Sequence, residues 1–161
     1  MASTVRTIGY EGATLSGFLS ALRRARVSLI VDIRAVAVSR RKGFSKNALA
    51  SALREIGIDY MHLRGLGDPK AGREAARAGR MSEFRAIYAN HLRSEAAQAA
   101  LAEAIQISTR KSICLLCYEA ESSGCHRTIV AASIARKTGL VIQHLSPDAS
   151  SHVGSTFTAA A

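Results

Sequence analysis

Five short apolar runs rich in β-branched residues recur along the chain, and the segments between them carry helical spacing. The runs are "VRTIGY" (5–10), "VSLIVDIR" (27–34), "IDYMHL" (58–63), "SICLLCY" (112–118) and "LVIQHL" (140–145). Each reads as a strand. The second is continuous rather than alternating, as a strand covered on both faces requires. "TLSGFLSALRRAR" (14–26) places Leu15, Phe18, Leu19 and Leu22 at helical spacing, with Thr14 as its cap. "SKNALASALREIG" (45–57) opens on a capping serine and closes on a glycine. Residues 82–93, 94–108 and 127–138 read as further helices, the last ending at Gly139. "RGLGDPKAGREAARAG" (64–79) reads as a long Gly-rich loop.

Strands that alternate with helices imply right-handed crossovers. The expectation is one three-layer α/β domain with about five mostly parallel strands and helices on both faces. It spans residues 1–146, and the small, polar segment 147–161 is expected to be a flexible tail. A chain of 161 residues that is 48% hydrophobic can bury such a core. No apolar run approaches the roughly 18 residues that span a bilayer, and "MASTVRTIGY" lacks the apolar centre of a signal peptide. Three cysteines argue against a disulfide framework. A cytoplasmic location is therefore expected, with no membrane partner.

In a parallel sheet, ligands gather at the carboxyl ends of the strands. Tyr10 and Glu11 follow the first strand, and Asp32 and Arg34 close the second. His62 ends the third, and His144 lies in the fifth. Most of the reactive residues outside the helices thus fall on one rim, and "CYEAESSGCHR" (117–127), after the fourth strand, crowds the most into one stretch. Cys117 and Glu119 stand where that strand runs out, while Cys125, His126 and Arg127 open the next helix. A helix start favours anions and a cysteine thiolate, the more so beside an arginine. Arg127 offers a planar fork to an oxyanion, and His126 can exchange protons near neutral pH. These five are the candidate catalytic residues. Asp32, closing an apolar strand, needs a cationic partner, and Arg34, Arg40 and Arg127 are the candidates. "CLLC" has C-x-x-C spacing, but Cys114 and Cys117 fall on opposite faces of a strand, so no metal is assigned there. No cofactor is assigned either.

The formal net charge is +10 and unevenly spread. Residues 1–64 hold 11 Lys and Arg against 4 Asp and Glu, whereas residues 65–161 hold 11 against 8. The densest stretch is "SRRKGFSK" (39–46). It makes Ser39, Arg40, Arg41 and Lys42 candidate ligand-binding residues, with Tyr10, Asp32, Arg34 and His62.

"TIGYEG", "LIVDIRAVAVSRRKGFSK", "GIDYMHLRGLGD", "ICLLCYEAESSGCHR" and "VIQHL" resemble, in order, the blocks of the domain of unknown function 488 family (DUF 488). Ala35 and Ala37 replace prolines, and Tyr10 and Glu11 replace a histidine or asparagine, that are commoner in that family. The resemblance implies a compact α/β fold with a shared rim site, and implies no reaction. Three readings follow. One is an enzyme-like domain that takes an anionic, phosphate-bearing ligand, nucleotide or nucleic acid at the rim. Another is a non-catalytic nucleic-acid-binding or protein-interaction module with a basic face. The third is rhodanese-like sulfur transfer, against which the long interval from Cys117 to Arg127 counts.

Overall fold

The computed structural model describes residues 3–149. Its strands are β1 (Thr4–Gly9), β2 (Leu29–Asp32), β3 (Asp59–His62), β4 (Ile113–Cys117) and β5 (Val141–Leu145). They form one sheet in the order β3-β2-β4-β1-β5, and every pairing is parallel. The described helices are α1 (Leu15–Arg24), α2 (Lys46–Glu55), α3 (Lys70–Arg77), α4 (Met81–Leu92), α5 (Glu95–Ser108) and α6 (His126–Thr138). The expected α/β architecture is the one observed, with a sheet that is parallel throughout.

The strand order decides which face each helix covers. The chain moves one way across the sheet from β1 to β2 to β3, then back from β3 to β4 to β5. Right-handed crossovers then put α1 and α2 on one face and α3 to α6 on the other. The two halves of the core agree. Phe18, Leu22, Leu49 and Leu53 from α1 and α2 pack with Ile8, Ile30, Cys114 and Leu116. Phe84, Tyr88, Leu101 and Ile134 from α4, α5 and α6 pack with Val5, Val31 and Leu115. Successive residues of β4 thus alternate between the two cores, and all five are buried.

Two local expectations are corrected. Residues 64–79 are not one loop, because a 3-10 turn at Arg64–Leu66 leads into α3. Pro69 immediately precedes that helix, where its fixed φ suits a helix start and its missing N–H costs nothing. Gly72, a poor helix former, is needed inside it because a Cβ there would collide with the Asp68 carboxylate. Ser45 stands at the N-cap of α2 but makes no capping bond. Its hydroxyl instead accepts from the Ser39 amide at 3.0 Å and donates to the Ser39 carbonyl at 3.2 Å, closing the basic segment on itself. Thr14 and Ser94 do cap their helices.

After β5 the chain returns to α1. The Asp148 amide donates to the Gly17 carbonyl, and its carboxylate takes Arg24 and Ser20. Residues 150–161 of the expected tail lie outside the described residues. Among the described residues no helix is long and apolar enough to cross a membrane.

Candidate functional site

Register brings the strand ends together. Asp32 lies opposite His62, and Gly9 opposite Cys117, with β4 between β1 and β2. The carboxyl ends of β2 and β4 therefore adjoin, as the α/β reading requires.

At the end of β2 the charges are consumed internally. Arg34 forks onto the Asp32 carboxylate, with Nε 2.9 Å from Oδ1 and Nη2 2.7 Å from Oδ2. Its Nη1 donates to the Phe44 carbonyl and the Tyr10 hydroxyl. Tyr60 donates its hydroxyl to Asp32 as well. Asp32 is fully buried and Arg34 nearly so. Of the expected cations, then, Asp32 takes Arg34. Loss of one partner from such a pair costs about 3–5 kcal/mol, because it leaves a lone buried charge. Tyr10 is a core residue stacked on Phe44 at 4.6 Å. His62 donates Nε2–H to the Arg34 carbonyl at 2.7 Å and so fixes the turn after β2.

Beyond this pair the chain emerges into solvent. Arg40, Arg41 and Lys42 are exposed and form no ion pair among the described residues. Val36 and Val38 beside them are 58% and 74% exposed. Ser39 holds the loop, accepting the Arg41 amide at 3.0 Å.

At the end of β4 a second buried guanidinium organises the loop. Arg127 was expected to present its fork to an anion, but it is 1% exposed and faces inward. Its Nε donates to Thr7 Oγ1 at 3.1 Å, its Nη1 to Cys117 Sγ at 3.0 Å and to the Glu119 carbonyl, and its Nη2 to the Ala120 carbonyl. The carbonyls of the 119–120 loop have no strand partner, and Arg127 satisfies them. The Glu119 carbonyl also passes so close to Gly9 that any side chain there would collide with it. Thr7 relays the contact to His144 Nδ1 at 2.6 Å.

The remaining reactive groups converge around the α6 start. Cys125 is the N-cap, and its Sγ accepts from the Arg127 amide at 3.5 Å. Although three cysteines argued against a disulfide, the Cys125 and Cys117 sulfurs meet in disulfide contact, while Cys114 stays free in the core. The Cα atoms of Cys117 and Cys125 are 7.5 Å apart. His126 donates Nε2–H to the Ile33 carbonyl at 2.8 Å, which leaves Nδ1 as the free lone pair, 3.7 Å from Cys125 Sγ. Burial lowers its pKa to about 4, helped by the Arg127 charge and opposed by the bond to Ile33, so the ring is neutral at pH 7. Cys117, Cys125 and His126 together bring three ligand atoms within 4.8 Å of one another. The pairing of Cys117 with Cys125 rather than with Cys114 is invisible in the C-x-x-C spacing. Glu119 Oε2 lies 3.4 Å from Cys125 Sγ, and burial raises its pKa.

Asp68 is the residue the sequence reading passed over. It is 5% exposed, and its Oδ1 has no hydrogen-bond partner among the described residues. Burial and the neighbouring Glu119 charge push its pKa up to about 7, against the pull of Arg73. The loop that carries it is pinned to α4, since Tyr88 donates to the Leu66 carbonyl at 2.6 Å and His91 to the Gly65 carbonyl at 2.9 Å. The Tyr88 ring also packs 5.2 Å from that of His126. The visible signal was its place in "RGLGD", a carboxylate directly after a strand end and a Gly-rich turn.

Of the candidate catalytic residues, Cys117, Glu119, Cys125 and His126 gather at one point, while Arg127 braces them from behind. Arg40, Arg41 and Lys42 stand apart on an exposed segment. No curated protein and no solved structure matches the chain. The family model described as a domain of unknown function, DUF488, matches residues 14–134, a span that runs from the α1 cap through β2, the Asp68 turn and β4 into α6, and the chain belongs to that family.

Proposed function

We propose that the protein is an enzyme that carries out acid–base chemistry on a phosphate-bearing substrate, a nucleotide or nucleic acid, with Asp68 and Glu119 as the proton-handling groups. The observation that carries this reading is the Asp68 carboxylate. A fold has no stabilising use for a buried carboxylate oxygen without a partner, and such groups cost roughly 1–3 kcal/mol or more. A pKa of about 7 beside a second raised carboxyl is what general acid–base catalysis at neutral pH asks for. Arg34 and Arg127 are occupied, and the exposed Arg40, Arg41 and Lys42 are the cations this reading assigns to the substrate's more distant phosphates.

The test incubates the protein with mixed nucleotides and short single- and double-stranded oligonucleotides and reads products by mass spectrometry. A product formed by the parent should fall by about a hundredfold or more in Asp68→Asn. No product from either pool, or one undiminished in Asp68→Asn, overturns the reading. The exposed valines and three cations at 36–42 favour a second reading, a binding module without chemistry. It expects oligonucleotide binding with no product.

A further inference from the structure

We propose that Cys117, Cys125 and His126 bind a zinc ion, with its fourth position open to water beside Glu119 and Asp68. The proposal rests on the acid–base reading above and supplies the nucleophile for it.

Three features point to a metal. The first is the donor set. Cys117 Sγ, Cys125 Sγ and a ring nitrogen of His126 lie within 4.8 Å of one another and come from the end of β4 and the start of α6, two well-packed elements. Two thiolates and an imidazole suit zinc, and three protein ligands with one open position mark its catalytic sites. The second is backbone spacing. Although the two sulfurs meet in disulfide contact here, the Cα atoms of Cys117 and Cys125 stand 7.5 Å apart, beyond the roughly 4.4–6.8 Å usual for a disulfide, and it is the reduced pair that would hold the ion. Two thiolates on a shared ion need no such closeness. The third is that every ligand has an outer partner. Arg127 donates from its guanidinium to Cys117 Sγ and from its amide to Cys125 Sγ. His126 donates Nε2–H to the Ile33 carbonyl, which turns Nδ1 toward the sulfurs. Metal-binding histidines are oriented in this way, and N–H donors favour thiolates.

The carboxylates then acquire roles. Glu119 Oε2 touches Cys125 Sγ from beside the three-ligand group. The Asp68 carboxylate is buried, its Oδ1 has no hydrogen-bond partner among the described residues, and its loop is pinned to Tyr88, whose ring packs 5.2 Å from that of the ligand His126. The class of reaction this fits is hydrolysis. Zinc, when bound, would acidify a water at its open position; Glu119 or Asp68 would accept that water's proton as its oxygen bonds to an electrophilic carbon or phosphorus. The bond to the leaving group breaks with its electron pair, and the leaving group takes the proton back from the carboxylate.

The experiment titrates reduced, metal-free full-length protein with zinc against a chromogenic chelator, and with cobalt(II) read by absorbance. One zinc per chain is expected, together with a thiolate-to-cobalt charge-transfer band. Cys125→Ser, Cys117→Ser and His126→Gln should each weaken zinc by about a hundredfold or more, since even outer-shell changes cost about 10–100-fold. Should a variant fail to fold, the parent alone decides, because zinc should shield Cys117 and Cys125 from alkylation. No zinc uptake by the reduced parent, a cobalt complex without a thiolate band, unshielded cysteines, or parent-like affinity in a folded variant overturns the site. Metal binding is read without turnover. Loss of zinc with Asp68-dependent product intact would therefore overturn the metal alone, and zinc uptake without product would support the metal and overturn the acid–base reading.

Discussion

Removing the charge of Asp68 should stabilise the metal-free protein. Its folded carboxyl titrates near pH 7, whereas an unfolded aspartate titrates near about 3.9. Between these values the folded state holds a proton that the unfolded chain has released, so stability falls as pH rises through the window and levels off above it. The groups that act on it, Glu119, Arg73 and Tyr88, remain in both forms of the comparison. Asp68→Asn should be more stable than the parent by about 1–2 kcal/mol at pH 8, with the gap closing below about pH 4. Urea unfolding at the two pH values measures this, and a variant no more stable at pH 8 refutes it. Residue chemistry read from the sequence picks out reactive types, and it placed Cys117, Glu119, Cys125 and His126 together. It could not tell that Arg34 and Arg127, equally reactive on paper, spend their nitrogens on Asp32 and on loop carbonyls. Only tertiary contact separates an occupied guanidinium from a free one, or leaves Asp68 without a partner.

At the scale of elements, β2 and β4 were legible because burial on both faces leaves an uninterrupted apolar run. Helix α3 was not, because the need for Gly72 appears only when Asp68 folds back against it. The basic segment 39–46 was legible as a charge cluster and is exposed, with its backbone closed by Ser39 and Ser45. If it docks phosphates, replacing Arg40, Arg41 and Lys42 with alanine should flatten the log–log salt dependence of oligonucleotide binding by about 2 to 3 units. Fluorescence anisotropy across a salt series reads the slope, and an unchanged slope would remove the segment from the interface. The buried guanidinia predict no such contribution.

For the whole molecule, alternation of strands and helices was enough to expect a parallel sheet, but the strand order was not written in any one segment. It follows from pairing that spans the chain, with β4 inserted between β1 and β2. A chain ending at residue 111 therefore lacks the strand that joins the two halves. It should show no cooperative unfolding transition and rapid proteolysis, whereas a chain ending at 149 should unfold cooperatively. A sharp transition in the shorter chain would mean that the halves hold together without β4.

The same insertion has a consequence for synthesis. At about 5–20 residues per second, β1 leaves the ribosome on the order of 5–20 s before β4 is complete. Throughout that interval Val5 and Ile8 lack the neighbouring strands of the folded sheet, because among the described residues β1 pairs with β4 and β5 alone. The nascent chain thus carries an apolar strand with two open edges for most of its translation, a form that chaperones bind and that crowded polysomes aggregate.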